Sequence, residues 1–364
     1  MASHTKTMAP LAWSKTGSWL SAGARTPRGT RCGRVVMSLL PLMLAGCASL
    51  TDPNVPEPIR ANIEPEHGER YLFYRPSSYN REQSWPLVVV CHSSFPDSPN
   101  NRIRDWTLDA ERTGFLVLAP RLAANRKDFP PKPDAQLELL KQDEEHILAA
   151  IRHVRAAHTI SEDRVFLHGF AGGARPALYT GLKHPEVFRA VTLSQPRFDK
   201  EYLAGVVDFI DPHQPIFVER NITDAVTGRH ARRCVDWLCK RTDHVTEETS
   251  SAASDAGTSR HVGFFEHVVR TIPWIRIRAL PGRGKSSMTV QFKSSHSTTP
   301  TRMHWSFGDG TESTLTEPLH VYETPGTFRV ELTVHDTQGI KHRRTIYLAV
   351  PQLTTRHTPP TMEP

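Results

Sequence analysis

Short apolar runs alternate with longer amphipathic segments from Arg70 to Ile275, and this alternation leaves few folds open to the chain. Pro86–His92 (PLVVVCH) and Phe115–Pro120 (FLVLAP) are apolar at nearly every position, as expected of strands covered on both faces. Arg70–Pro76 (RYLFYRP), Arg164–Phe170 (RVFLHGF), Ala190–Gln195 (AVTLSQ) and Pro215–Arg220 (PIFVER) read as further strands. Between them, Asn101–Thr113, Leu137–His158, Gly172–Lys183, Gly228–Lys240 and Gly263–Ile275 read as helices. In the second of these, Ile147, Leu148, Ile151 and Val154 recur at helical spacing. Strand–helix units in series bury both faces of a sheet when the strands run mostly parallel and helices cover each side. The expectation is an α/β domain with a mostly parallel sheet over residues 69–276.

Near Ile275 the period changes to two. MTVQFKS, FRVELTVHD and TIYLAV alternate apolar with polar residues and are separated by turn residues. That pattern predicts an all-β antiparallel sandwich over residues 278–350. Trp305 and Phe307 share one strand face, and Val330, Leu332 and Val334 share another. Asp309-Gly310 suits a tight turn that needs a left-handed residue, and Pro325-Gly326 marks a second turn. The tail, residues 351–364, is polar and proline-rich and is expected to be disordered.

The formal charge is +7, from 45 basic and 38 acidic residues. Six of the basic residues, Lys6, Lys15, Arg25, Arg28, Arg31 and Arg34, lie in residues 1–46, which contain no acid. The remainder is close to neutral with no basic cluster, which argues against a nucleic-acid partner. The apolar stretch Val35–Gly46 is too short to span a bilayer permanently but suits the core of a secretory signal. Leu44–Cys47 (LAGC) resembles a bacterial lipobox. That resemblance implies a signal peptide over residues 1–46, lipidation of Cys47, and attachment to a bilayer in the cell envelope. Ala48 stands where an inner-membrane lipoprotein often has aspartate, so the outer membrane is favoured. The basic region is long for such a signal, and Met8 is an alternative start. Residues 47–68 are rich in proline and polar residues and read as a tether. Cys91, Cys234 and Cys239 are odd in number and read as buried free thiols, with no disulfide framework and no metal site.

One short segment points to chemistry. In Leu167–Pro176 (LHGFAGGARP) a strand leads in and a helix leads out, with glycines at 169 and 173 flanking Ala171. An abrupt strand-to-helix turn strains its corner residue and crowds the neighbouring positions, which must be small. Gly169, Gly172 and Gly173 meet that demand. In the frame G-x-S-x-G the corner is a nucleophilic serine. Here it is Ala171, which has no oxygen to attack a carbonyl.

The segments YLFYRPSSYNREQSWPLVVVCH, WTLDAERTGFLVLAPRL and DEEHILAAIRHVRAAHTISEDRVFLHGFAGG resemble α/β-hydrolases of the secreted-esterase and polyhydroxyalkanoate-depolymerase-like group. The resemblance covers about Tyr71 to Ile275. It implies the fold of a carboxylic-ester hydrolase, with a Ser–Asp–His triad in that chain order and no cofactor. Ala171 then stands at the degenerate nucleophile position. Asp224, in PIFVERNITDAVTGRHARRCVDWL, and His261, in TSRHVGFFEHVVRTIPWI, fall where the family presents its aspartate and histidine. The oxyanion hole would use the backbone N–H of Gly172 and that of Ser93, in a loop reading His92-Ser93-Ser94 where the family often has His-Gly. His92 itself reads as a packed loop residue. Removing the nucleophile of such a triad costs on the order of 10⁶ in turnover, so a binding or scaffold pseudo-hydrolase is expected. The alternative is an active esterase that uses Ser93, Ser94 or Ser194, or water activated by Asp224 and His261. Met303–Asp336 resembles the PKD domain, an immunoglobulin-like sandwich, through WSFGDG, then HVY before PGTF, then VELTVHD. That resemblance implies a contact with polysaccharide or protein.

Overall fold

The computed structural model describes residues 59–94, 96–123, 132–251, 257–281 and 288–350. The expected signal peptide, Cys47, most of the expected tether and the tail 351–364 lie outside the described residues.

Eight strands form the first sheet: β1 (Arg60–Ile63), β2 (Arg70–Tyr74), β3 (Trp85–Cys91), β4 (Leu116–Pro120), β5 (Ile160–Phe170), β6 (Ala190–Ser194), β7 (Ile216–Asn221) and β8 (Val245–Ser250). Their order is β1-β2-β4-β3-β5-β6-β7-β8. β3 to β8 run parallel, and β1 and β2 are antiparallel at one edge. Five helices connect them: α1 (Pro99–Thr113), α2 (Pro133–Ala157), α3 (Ala174–Lys183), α4 (Ala225–Leu238) and α5 (Thr258–Thr271).

The alternation along β3 sorts its side chains into two cores. Leu87, Val89 and Cys91 join Leu140 and Ile147 of α2, Ala177 and Leu178 of α3 and Cys234 of α4. Val88 and Val90 join Ile103 and Trp106 of α1 and Phe265 of α5 on the other face. Burial of each such aliphatic chain contributes about 1.5–3 kcal/mol, so both helical layers are held by the one strand.

Three features differ from the sequence reading. The tether ends early: Arg60–Ile63 pairs with β2, and the buried Glu64 carboxylate accepts backbone N–H bonds from Glu66, His67 and Glu69. β8 forms from a polar segment because it is an edge strand with most of its side chains in solvent. α5 starts at Thr258 rather than near Gly263, which draws His261 into its first turn. Cys91 and Cys234 are buried free thiols as expected, whereas Cys239 is exposed. Among the described residues no helix is long and apolar enough to cross a membrane.

From Ile275 the chain forms two antiparallel sheets. One contains β9 (Ile275–Pro281), β10 (Thr289–His296) and β13 (Leu319–Val321). The other contains β11 (Arg302–Ser306), β12 (Glu312–Ser313), β14 (Gly326–His335) and β15 (Lys341–Val350). Phe292, Trp305, Phe307, Tyr322, Val330, Leu332 and Val334 fill the space between the sheets. Trp305 Nε1 donates to the Leu315 carbonyl at 3.0 Å, and the Tyr322 hydroxyl donates to the Phe307 carbonyl at 3.1 Å. Gly310, at φ 90°, is the left-handed residue its turn needs. Among the described residues three ion pairs join the sandwich to the α/β domain: Arg344 to Asp211 at 2.7 Å, Arg276 to Glu162 at 3.1 Å, and Arg278 to the same Glu162.

Candidate active site

β5 ends at Phe170, a single 3-10 turn follows over Ala171–Gly173, and α3 begins at Ala174. Ala171 has φ 47°. That left-handed conformation costs a β-carbon residue roughly 1–2 kcal/mol, so the corner keeps the strain of a nucleophile elbow. Close packing over-determines it. A β-carbon at Gly173 would lie 2.1 Å from the Cys91 carbonyl oxygen, and one at Gly169 would lie 2.7 Å from Ala174 Cα. The other positive-φ residue besides glycine among those described is Gln195, at 49°, just past the end of neighbouring β6. Strain is thus concentrated at the strand ends around the corner, a pattern found at functional sites.

Both N–H groups expected to form an oxyanion hole already have acceptors. Gly172 N donates to Ser93 Oγ at 3.0 Å, and Ser93 N donates to Asp97 Oδ2 at 2.6 Å. Asp97 is in turn paired with Arg102 at 3.0 Å, whose guanidinium lies 4.1 Å from the Phe170 ring centroid. His92 is a packed loop residue: Nδ1 lies 2.7 Å from the Ser93 carbonyl, and Nε2 accepts the Leu122 N–H at 3.2 Å. Its burial holds the imidazole below the usual histidine range.

Asp224 and His261 stand in different surroundings. Asp224 is exposed and caps α4, its Oδ1 accepting from Val226 N at 2.8 Å. That bond holds its carboxyl below the usual range. His261 is 0% exposed. Its ring meets His168 edge-on at 4.5 Å between centroids and Phe217 at 5.2 Å. The carboxylate that faces it is Glu219 of β7, with Nε2 to Oε2 at 3.4 Å. Glu219 Oε2 also accepts from the Ser194 hydroxyl at 2.6 Å. Burial pushes the Glu219 carboxyl up, but contacts from His261, Ser194 and Ser250 outweigh it and hold the group low. Ser194 is itself fully buried, and it meets a carboxylate rather than a histidine. Alongside, His168 Nδ1 lies 3.0 Å from Thr192 Oγ1.

His261 thus faces Glu219, whereas Asp224, its expected partner, caps α4. A usable signal existed: Glu219 sits inside the apolar strand PIFVER, and a carboxylate there needs a partner. Chemically, a serine, a glutamate and a histidine form a buried chain with the acid in the middle. Such an order cannot pass a proton from serine to histidine. Among the described residues, no group of three or more His, Cys, Asp or Glu side chains is placed to hold a metal ion.

Residues 276–350 match the PKD domain family. This segment is a PKD domain. Within this chain, 48 residues are 48% identical to collagenase ColA of Bacillus cereus, and 62 residues are 39% identical to a microbial collagenase of Vibrio alginolyticus. Those matches cover 13% and 16% of this chain but only 5% and 8% of the collagenases. The PKD1 domain of the Vibrio cholerae metalloprotease PrtV is 23% identical, with a TM-score of 0.20 over 22% of this chain and 98% of that one. For the first domain, a ferulic acid esterase from Anaeromyces mucronatus is 16% identical, with a TM-score of 0.44 over 58% of this chain and 88% of that one. Est1E of Butyrivibrio proteoclasticus is 13% identical, with a TM-score of 0.43 over 58% and 99%. The parallel sheet, the helices on both faces and the strained corner after β5 are those of an α/β-hydrolase fold. The chain thus joins an α/β domain with an elbow-like corner to a segment that matches the PKD domain family.

Proposed function

We propose that this protein is a lipid-anchored, extracytoplasmic pseudo-hydrolase, which binds a polymer or protein partner and does not cleave esters. The observation that carries the reading is Ala171: a corner held at φ 47° with a methyl group where a nucleophile belongs. Three further arrangements support it. His261 is enclosed in the core against Glu219, Asp224 serves as a helix cap, and the N–H groups of Gly172 and Ser93 are engaged by Ser93 Oγ and Asp97. The lipobox-like Leu44–Cys47 supports the anchor and an envelope location, with the outer membrane favoured. The likeness of the PKD domain to segments of collagenases supports a contact with protein or polysaccharide.

The test is hydrolysis of short p-nitrophenyl esters by the wild-type chain, with labelling by a fluorophosphonate probe. Neither turnover above background nor a label is expected. Enzyme-like turnover that disappears in His261→Ala would overturn the proposal. For the anchor, Cys47→Ala is expected to move the protein from the membrane to the soluble fraction, and an unchanged membrane fraction would refute lipidation.

A further inference from the structure

At the end of the sheet opposite the elbow, a cavity of about 290 Å³ lies between the α/β domain and the PKD domain. Its walls come from residues just before three parallel strands: Arg189 before β6, His213 before β7 and His244 before β8. Lys341 to Arg344 of β15 close it from the sandwich side, and Ile272 and Trp274 form an apolar wall. Among the described residues its charged lining is lysine, arginine and histidine, several of them paired with carboxylates: Asp163 to Arg189, Asp211 to Arg344, Asp243 to His213 and Asp336 to His342.

Arg344 carries the argument. Its side chain is 8% exposed, and its Nη1 lies 2.7 Å from Asp211 Oδ2. Nε and Nη2, the edge of the guanidinium that grips two oxygens of one anion, are buried and meet no acceptor among the described residues. Arg189 is 4% exposed; its Nη atoms donate to the Asp163 and Ile272 carbonyls at 3.0 and 2.8 Å, while its buried Nε also meets no acceptor. Burial lowers the Arg189 guanidinium to about 10; the Asp163 carboxylate, 3.3 Å away, opposes that shift, and the charges of Arg164 and Arg344 add to it. Each arginine has one carboxylate partner, Asp163 or Asp211, and the N–H donors left unmet on both would be satisfied by an oxyanion between them. Donors approach from both the sheet edge and the sandwich. A tetrahedral anion, which accepts from several directions, suits that arrangement better than a planar one.

We propose that this cleft binds phosphate or the phosphate group of a small ester, gripped by the Nε–Nη2 edge of Arg344, with Lys341 and Arg343 at the rim. Any organic remainder lies against Ile272 and Trp274. The site is separate from the elbow and does not depend on whether the elbow is catalytic.

The test is calorimetric titration of the full chain with inorganic phosphate and with phenyl phosphate, in a phosphate-free buffer at fixed ionic strength. Saturable one-to-one binding is expected. Tighter binding of phenyl phosphate assigns the site to an ester, and equal binding assigns it to free phosphate. Arg344→Lys keeps a charge opposite Asp211 but lacks the forked edge, and should weaken binding at least about tenfold. The double variant Lys341→Gln/Arg343→Gln alters exposed residues only, should also weaken binding, and decides the matter if Arg344→Lys does not fold. Absence of saturable binding to the wild type, or unchanged affinity in the variants that fold, would overturn the proposal.

Discussion

Ala171→Ser returns a hydroxyl to the corner and separates two accounts of the site. If one oxygen atom were all that is missing, the substitution should recover much of the roughly 10⁶-fold that a serine triad contributes to turnover. The geometry argues for far less. His261 is 0% exposed, and its Nε2 faces Glu219 at 3.4 Å, so that nitrogen is engaged by a carboxylate instead of standing ready for the proton of the new hydroxyl. Loss of the base alone costs about as much as loss of the whole triad. The Gly172 N–H, needed for the oxyanion, donates to Ser93 Oγ at 3.0 Å, and one missing donor costs a further 10²–10³-fold or so. The expected gain is therefore under about tenfold. Initial rates with p-nitrophenyl acetate and butyrate, together with fluorophosphonate titration, measure it. A gain of about 10³-fold or more, with stoichiometric labelling at position 171, would refute the reasoning.

Other expectations concern stability. Ala171→Gly removes the left-handed strain of roughly 1–2 kcal/mol and gives back about 0.5–1 kcal/mol in unfolded-chain entropy, so urea denaturation should show a net gain of about 0.5–1 kcal/mol. Gly173→Ala places a β-carbon 2.1 Å from the Cys91 carbonyl oxygen, and the same assay should show a loss of about 3 kcal/mol or no folded protein. His184 lies 2.6 Å from Glu144 and 3.0 Å from Glu186; burial opposes its charge, but these two partners outweigh it and raise the imidazole from 6.5 to about 9. The charged form is favoured by folding, so this contribution is full below about pH 6.5 and is lost as pH rises through about 9. It is at most about 3 kcal/mol, and His184→Gln should flatten the stability profile over that window.

The α/β layer was legible because β3 and β4 carry nearly unbroken apolar runs, and because the spacing of Gly169 and Gly173 encodes a steric requirement of the backbone. The sandwich was legible for a similar reason, since Val330, Leu332 and Val334 alternate strictly and all point inward. β8 was not legible: an edge strand with solvent on most of its side chains has no pattern to distinguish it from a loop. The site was legible in its backbone and not in its partners. Asp224 has the residue type and chain order of a triad acid, yet only tertiary packing decides whether its oxygens face a histidine or cap a helix. His261 was misjudged because Gly263 suggested a helix start, whereas Val262, Phe265 and Val268 carry the buried stripe back through the preceding turn.

The ion pair between Arg344 and Asp211 has a mechanical consequence. Asp211 is 0% exposed and belongs to the loop before β7, whereas Arg344 belongs to β15 of the sandwich. Hinging the two halves apart would break this pair, leaving each charge without its partner until water reaches it. With Arg276 and Arg278 both on Glu162, the same joint around Pro273 is crossed by charge pairs at two separate places, so opening it must break both.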